Sequence, residues 1–143
     1  MEKKNLILRH LDLSWNLGEF DRIKDFLSDS FYYKTTFTDE ILNADQYIEF
    51  ISTLRNSIPD ISVTIELIMQ QDNHVMTQTS FIGEVVEPFY GIPASNRIIT
   101  FPAISIWEVS EDKIRSVDTL IDMTGVSRQI GLPVSPQVPL DTR

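Results

Sequence analysis

The feature that most constrains this chain is a change of hydrophobic period at Pro59: apolar residues recur every three or four positions before it and alternate one by one after it. Ile7, Leu11 and Trp15, with Leu6, Leu13 and Leu17 beside them, predict a helix from Asn5 to Leu17 that Gly18 ends. Phe20, Ile23 and Leu27 predict a shorter second helix, and "SFYYKTTF" (30–37), rich in aromatic and β-branched residues, a strand. Asn43 and Gln46 form a capping pair for a third helix, whose face is Tyr47, Ile51 and Leu54 and which stops before Pro59. Strands follow at 61–70, 75–83 and 97–109, with turns at 71–74 and 110–113 and a loop containing Pro88, Gly91 and Pro93. The last strand, "IRSVDTLID" (114–122), puts Ser116, Asp118, Leu120 and Asp122 on one face and Val117, Thr119 and Ile121 on the other.

Helices first and antiparallel strands after them define an α+β protein, and three helices against one face of a curved sheet leave a mouth where ligands bind. A length of 143 residues suits a single domain (1–143), with an irregular, proline-bearing tail at about 132–143. The net charge of −9 argues against nucleic acid and anionic membrane surfaces, which are held largely by Lys and Arg. No stretch approaches the ~20 apolar residues of a membrane span, and the first apolar run breaks at Arg9-His10 before it can serve as a signal peptide; the expected location is cytoplasmic. The chain has no cysteine, and its only histidines are His10 and His74, far apart in sequence. Thiol nucleophiles, disulfides and a histidine-rich metal centre are thereby disfavoured, and any acid or base must come from carboxylates, tyrosines or lysines.

Residues 89–131, "FYGIPASNRIITFPAISIWEVSEDKIRSVDTLIDMTGVSRQIG", carry a recognisable pattern: Gly91-Ile-Pro93, Arg97, Lys113-Ile114, Asp122 and Arg128-Gln-Ile-Gly131. Upstream, "SWNLGEFDRIKDFLSD" and "SIPDISVTIE" add a Trp-Asn-x-Gly junction and a Pro-Asp turn into a long strand. In these segments the chain resembles the SnoaL-like polyketide cyclases of the nuclear transport factor 2-like superfamily. The resemblance implies a cone of three N-terminal helices on a curved, mainly antiparallel sheet enclosing a pocket, and a homodimer paired through the sheet's outer face. It implies an intramolecular aldol-type ring closure of a hydrophobic, carbonyl-bearing, polycyclic polyketide, with no metal or organic cofactor, and it places the family's catalytic aspartate on Asp122. The chain departs from the pattern in having no histidine in "GEVVEPF" (83–89), no tryptophan at Asp118 or Ile121, and Ala94-Ser95-Asn96 where Pro-Thr-Gly is usual. These differences bear on substrate and reaction, not on fold.

A carboxylate raised in pKa by an apolar pocket can remove a proton from a carbon between two carbonyls and return it to the new alkoxide, which is the role expected of Asp122, with Asp118 as its neighbour. The competing reading of Asp122 is a helix cap for the turn that follows. Trp15, Tyr33, Tyr47, Phe50 and Trp107 are core or pocket lining for a flat ligand, and Tyr90 is a lid or a loop anchor. His10 and His74 read as surface or structural residues. A non-catalytic small-molecule-binding or assembly domain, or an isomerase, dehydratase or hydrolase in the same pocket, remains open.

Overall fold

The computed structural model describes residues 2–131; the tail expected at 132–143 lies outside the described residues. Helix α1 (Lys3–Leu11) runs directly into a π-helical segment, Asp12–Asn16, and α2 (Phe20–Ile23) tightens into a 3₁₀ turn, Lys24–Phe26. Strands β1 (Leu27–Thr35) and β2 (Thr38–Leu42) precede α3 (Ala44–Ser57), and β3 (Ser62–Gln71), β4 (His74–Glu84), β5 (Ile98–Ser110), β6 (Lys113–Ile121) and α4 (Met123–Gln129) complete the order. Asn43 caps α3 as its sequence predicts, its side chain accepting from Gln46 N and Gln46 Oε1 accepting from Asn43 N, both at 2.9 Å. No helix among the described residues is long and apolar enough to cross a membrane.

The six strands form one open sheet in the order β2-β1-β6-β5-β4-β3. As expected, the sheet is mainly antiparallel; its one parallel pairing among the described strands is β1 with β6, with Tyr33 opposite Val117 and Thr35 opposite Thr119. The short strand β2, whose "TDEIL" has no alternating pattern, pairs with β1 through Tyr33↔Leu42 and Thr35↔Thr38. The three N-terminal helices are α1, α2 and α3, and the helical turn that the resemblance implies after Asp122 is α4, the fourth helix among the described residues.

The first helix ends differently from a plain glycine stop. Through the π-helical turn, Leu17 N bonds Asp12 O, five residues back, and the released Trp15 carbonyl accepts from the Arg55 guanidinium of α3. Gly18 has φ 65°, and a Cβ there would lie 2.6 Å from Arg55 Nε, so only glycine lets the guanidinium close over this turn. Asn16 Oδ1 accepts from Val63 N at the start of β3, and Asp60 Oδ1 accepts from Glu84 N at 2.8 Å. The Trp-Asn-x-Gly and Pro-Asp segments thus tie the helices to the strands that wall the interior. Wrapped between α1, α3 and one sheet face is a single apolar cluster that includes Trp107, Tyr47, Phe50, Phe101 and Ile51. Each such side chain taken from water contributes about 1.5–3 kcal/mol.

Candidate functional site

The cavity lies between the helices and the concave face of the sheet, and its wall follows from strand alternation. Inward positions of β4 supply Thr77, Thr79 and Phe81, those of β5 Phe101, Ser105 and Trp107, and those of β6 Val117, Thr119 and Ile121. Tyr33 of β1 and Phe37 close one side, and Leu11, Trp15, Tyr47, Phe50 and Leu54 descend from the helices. Leu11 and Trp15 are four apart, and Tyr47, Phe50 and Leu54 follow the three-and-four spacing of one helix face. Out to its mouth the space free of atoms is about 450 Å³, yet the part wide enough for the centre of a water molecule is only about 30 Å³. That is room for two or three waters, at about 10–15 Å³ each.

Within this apolar wall the polar groups are paired. Trp107 Nε1 donates to Thr77 Oγ1 at 2.9 Å, Ser105 and Thr119 share a hydrogen bond of 2.7 Å, and Thr79 Oγ1 donates to Ala103 O. Burial pushes the Tyr33 hydroxyl up to about 12, against the opposing effect of its hydrogen bonds with Thr119 and Thr35. Tyr47 is likewise raised by burial, and secondarily by the neighbouring Tyr33. Behind Tyr47 stands His10, fully buried, its Nε2 2.8 Å from the Tyr47 hydroxyl. Burial pushes the imidazole down to about 3, so His10 is neutral at physiological pH.

The structure brings Trp15, Tyr33, Tyr47, Phe50 and Trp107 together on the cavity wall. Tyr90 is outside that wall and 40% exposed; its ring lies 5.3 Å from Phe50 and 6.0 Å from Phe37, and partial burial followed by Glu49 and Glu40 raises its hydroxyl. The two aspartates separate. Asp118 projects from the convex face with Leu120, which is 67% exposed, while Val117, Thr119 and Ile121 point inward. Asp122 lies just past the end of β6, directly after the lining residue Ile121, and is exposed. Its Oδ1 accepts from Gly125 N at 3.0 Å and caps α4.

The helix that Asp122 caps, α4, is docked on β5. Gln129 of α4 clamps the β5 backbone, accepting from Thr100 N at 2.7 Å and donating to Thr100 O at 2.6 Å, and Arg97 reaches Gln129 O at 3.5 Å. Arg97 and the Arg-Gln-Ile-Gly run therefore act on the position of this helix. Sequence reasoning did not single out the inward hydroxyls of Thr77, Thr79, Ser105 and Thr119. The signal was their shared parity with Val75, Phe81 and Trp107. No group of three or more His, Asp or Glu side chains is placed to hold a metal ion among the described residues.

The sequence model of the SnoaL-like polyketide cyclase family matches residues 5–130, and the chain belongs to that family. No curated protein sequence matches it significantly. Among solved structures, a SnoaL-like polyketide cyclase from Agrobacterium tumefaciens superposes with a TM-score of 0.78 at 20% identity, over 92% of this chain and 100% of that one. TsrD from Streptomyces laurentii gives 0.80 at 20% identity, over 93% and 99%. A protein of ketosteroid isomerase-like fold from Catenulispora acidiphila, in complex with trimethylamine, gives 0.75 at 15% identity, over 91% and 97%. These likenesses show the fold, the nuclear transport factor 2-like cone, and the α+β expectation holds.

Proposed function

We propose that the chain catalyses cofactor-independent acid/base chemistry, of the aldol ring-closing kind, on a hydrophobic polyketide-like molecule seated in the cavity, with Asp122 as the proton-transfer residue. The observation that carries this reading is the position of Asp122: Ile121 lines the cavity, and the next residue offers a carboxylate at the rim, held through Oδ1 by Gly125 N. A carbon between two carbonyls is acidic enough for a carboxylate to deprotonate when the enolate charge is spread by conjugation. A ring system is larger than the water-wide space of about 30 Å³, so its entry requires the aromatic wall around Phe37, Phe50 and Tyr90 to yield. The test is loss of deuterium from a benzo-fused cyclic β-keto ester labelled at the carbon between its carbonyls. Asp122→Asn is expected to slow the exchange by about 10²–10⁴ with the melting temperature nearly unchanged, whereas an unaltered rate removes Asp122 from the mechanism.

A second reading, a binding domain without catalysis, is favoured by one observation: among the described residues no carboxylate lines the cavity, and Asp122 is committed to a helix cap. On that reading Asp122→Asn, which keeps a capping oxygen, leaves exchange at the background rate of the wild type, and Asp122→Ala costs about 0.5–2 kcal/mol of stability. We further propose pairing of two copies through the convex face, where Ile98, Ile104, Ile106 and Leu120 are exposed together. Sedimentation at micromolar concentration checks it, and a monomer of 16.5 kDa contradicts it.

A further inference from the structure

His10 is an expensive residue to bury. It has no exposed surface, and its Nδ1 has no hydrogen-bond partner among the described residues, although a phenylalanine would pack in the same aromatic setting of Phe26, Tyr47 and Trp107. Its one hydrogen bond, Nε2 to the Tyr47 hydroxyl, can run in two directions. If Tyr47 donates, Nδ1 must carry the ring proton, and an N–H dipole is buried with no acceptor. If Nε2–H donates, Nδ1 is a bare lone pair, the less costly orphan, and the Tyr47 proton is released for another acceptor. Tyr33 does not take it: its ring is 4.5 Å from that of Tyr47, but among the described residues the Tyr47 hydroxyl is hydrogen-bonded to His10 and not to Tyr33. Ser105 and Thr119 are bonded to each other, and the Ala103 carbonyl accepts from Thr79. What remains in front of Tyr47 is the cavity that it lines.

We infer that Tyr47, oriented by the Nε2–H of His10, donates a hydrogen bond to a carbonyl oxygen of the ligand. The inference rests on the cavity being the ligand site of the proposed reaction, but not on Asp122. A phenol donor at this depth, opposite the rim, would fix which carbonyl of a polyketide-like chain faces inward and would favour enolate over ketone as charge grows on that oxygen. Hydroxyl-free hydrocarbons of the same shape would gain nothing from it. Tyr47 is thus the ligand-contacting residue and His10 a positioning residue that acts through it.

The first test needs no substitution. Nitrogen NMR of the wild-type imidazole is expected to show His10 protonated at Nε2 and bare at Nδ1; a proton on Nδ1 overturns the inference. The second compares the affinities of indanone and indane, which differ by one carbonyl, for wild type and Tyr47→Phe, with melting temperatures recorded beside them. The variant is expected to bind indanone about three- to tenfold more weakly and indane unchanged, as for loss of one neutral hydrogen bond. Equal losses for both probes, or none for the ketone, overturn it. His10→Phe, which deletes only the orienting N–H, is expected to give a smaller loss of the same kind. Binding of neither probe to wild type overturns both this inference and the cavity as ligand site. A carbonyl preference in a wild type whose exchange does not exceed background would instead retire the catalytic reading and leave this one standing.

Discussion

The floor and the rim of the cavity each hold a group that can accept a proton, and they solve the problem of polarity in opposite ways. At the rim, Asp122 stays in solvent and gives Oδ1 to the amide of Gly125, so its charge is stabilised by water and by a helix start. At the floor, His10 is fully buried, is held neutral, and keeps a ring nitrogen without a partner among the described residues. The rim group is exposed and keeps its contact with water. The floor pair is costly and its ionisation is frozen, which suits a fixed dipole and not a proton carrier. On the proposed reading, proton transfer falls to Asp122 and orientation to the His10–Tyr47 pair.

The largest consequence of this contrast concerns acid. An unfolded histidine binds its proton near 6.5, whereas His10 in the folded chain resists protonation down to about 3. Between those values the unfolded state holds more protons, so stability falls as pH falls below 6.5 and this contribution levels off below about 3. The loss is at most about 1.4 kcal/mol per pH unit, on the order of 5 kcal/mol in all. Urea unfolding from pH 7 to pH 5, above most carboxylate titration, isolates the effect. His10→Gln is expected to flatten the slope in that window, and an equally steep slope in the variant would show that the imidazole is not buried neutral.

A smaller effect tests the rim. A Cβ on Gly125 would lie 2.6 Å from Asp122 Oδ2, so Gly125→Ala must turn the carboxylate away from its place over the first turn of α4. The lost cap, about 0.5–2 kcal/mol, is offset in part by the better helix propensity of alanine, about 1 kcal/mol. Stability should therefore change little. Exchange activity is expected to drop by up to about a hundredfold, the scale of an ångström of misplacement. Unchanged exchange would mean that the orientation of Asp122 is irrelevant to the chemistry.

The legible parts of the molecule are those encoded locally. The capping box of Asn43 and Gln46, the helix face of Tyr47, Ile51 and Leu54, and the alternation of β4 to β6 depend on neighbours within a few positions. The parallel pairing of β1 with β6 joins residues some eighty positions apart and leaves no local trace; neither does β2, which exists because β1 offers it an edge. Alternation in β6 separates two faces but does not say which is inside. Leu120 beside two carboxylates suggests a pocket wall, whereas Thr119 is the one turned inward, because its hydroxyl finds Ser105 in the next strand. Threonine and serine suit solvent and a polar-laced cavity equally, so Thr77 and Thr79 gave no warning either. His10 sits on the buried face of α1 with Ile7 and Leu11, and only the distant Tyr47 makes that position tolerable.

The smallest expected effect is the sharpest control on the assignment of faces. Asp118 stands across β6 from the cavity, opposite Lys34 in β1 and Ile106 in β5, in an outer hollow shared with Tyr32 and Glu108. Converting it to asparagine removes one exposed charge near Lys34 and Glu108, whose influences on it oppose each other, so the change in stability should stay within about 0.5 kcal/mol. Exchange of the β-keto ester should be unaffected, because no path through the sheet connects this carboxylate with a ligand on the concave side. A loss of exchange comparable to that of Asp122→Asn would place the reacting carbon on the convex face and sink the cavity as the active site. A change confined to the sedimentation behaviour would point elsewhere: Asp118 lies beside the exposed Ile106 and Leu120, so a weakened or strengthened self-association with intact exchange would make that face a meeting surface between copies and leave the chemistry on the other side.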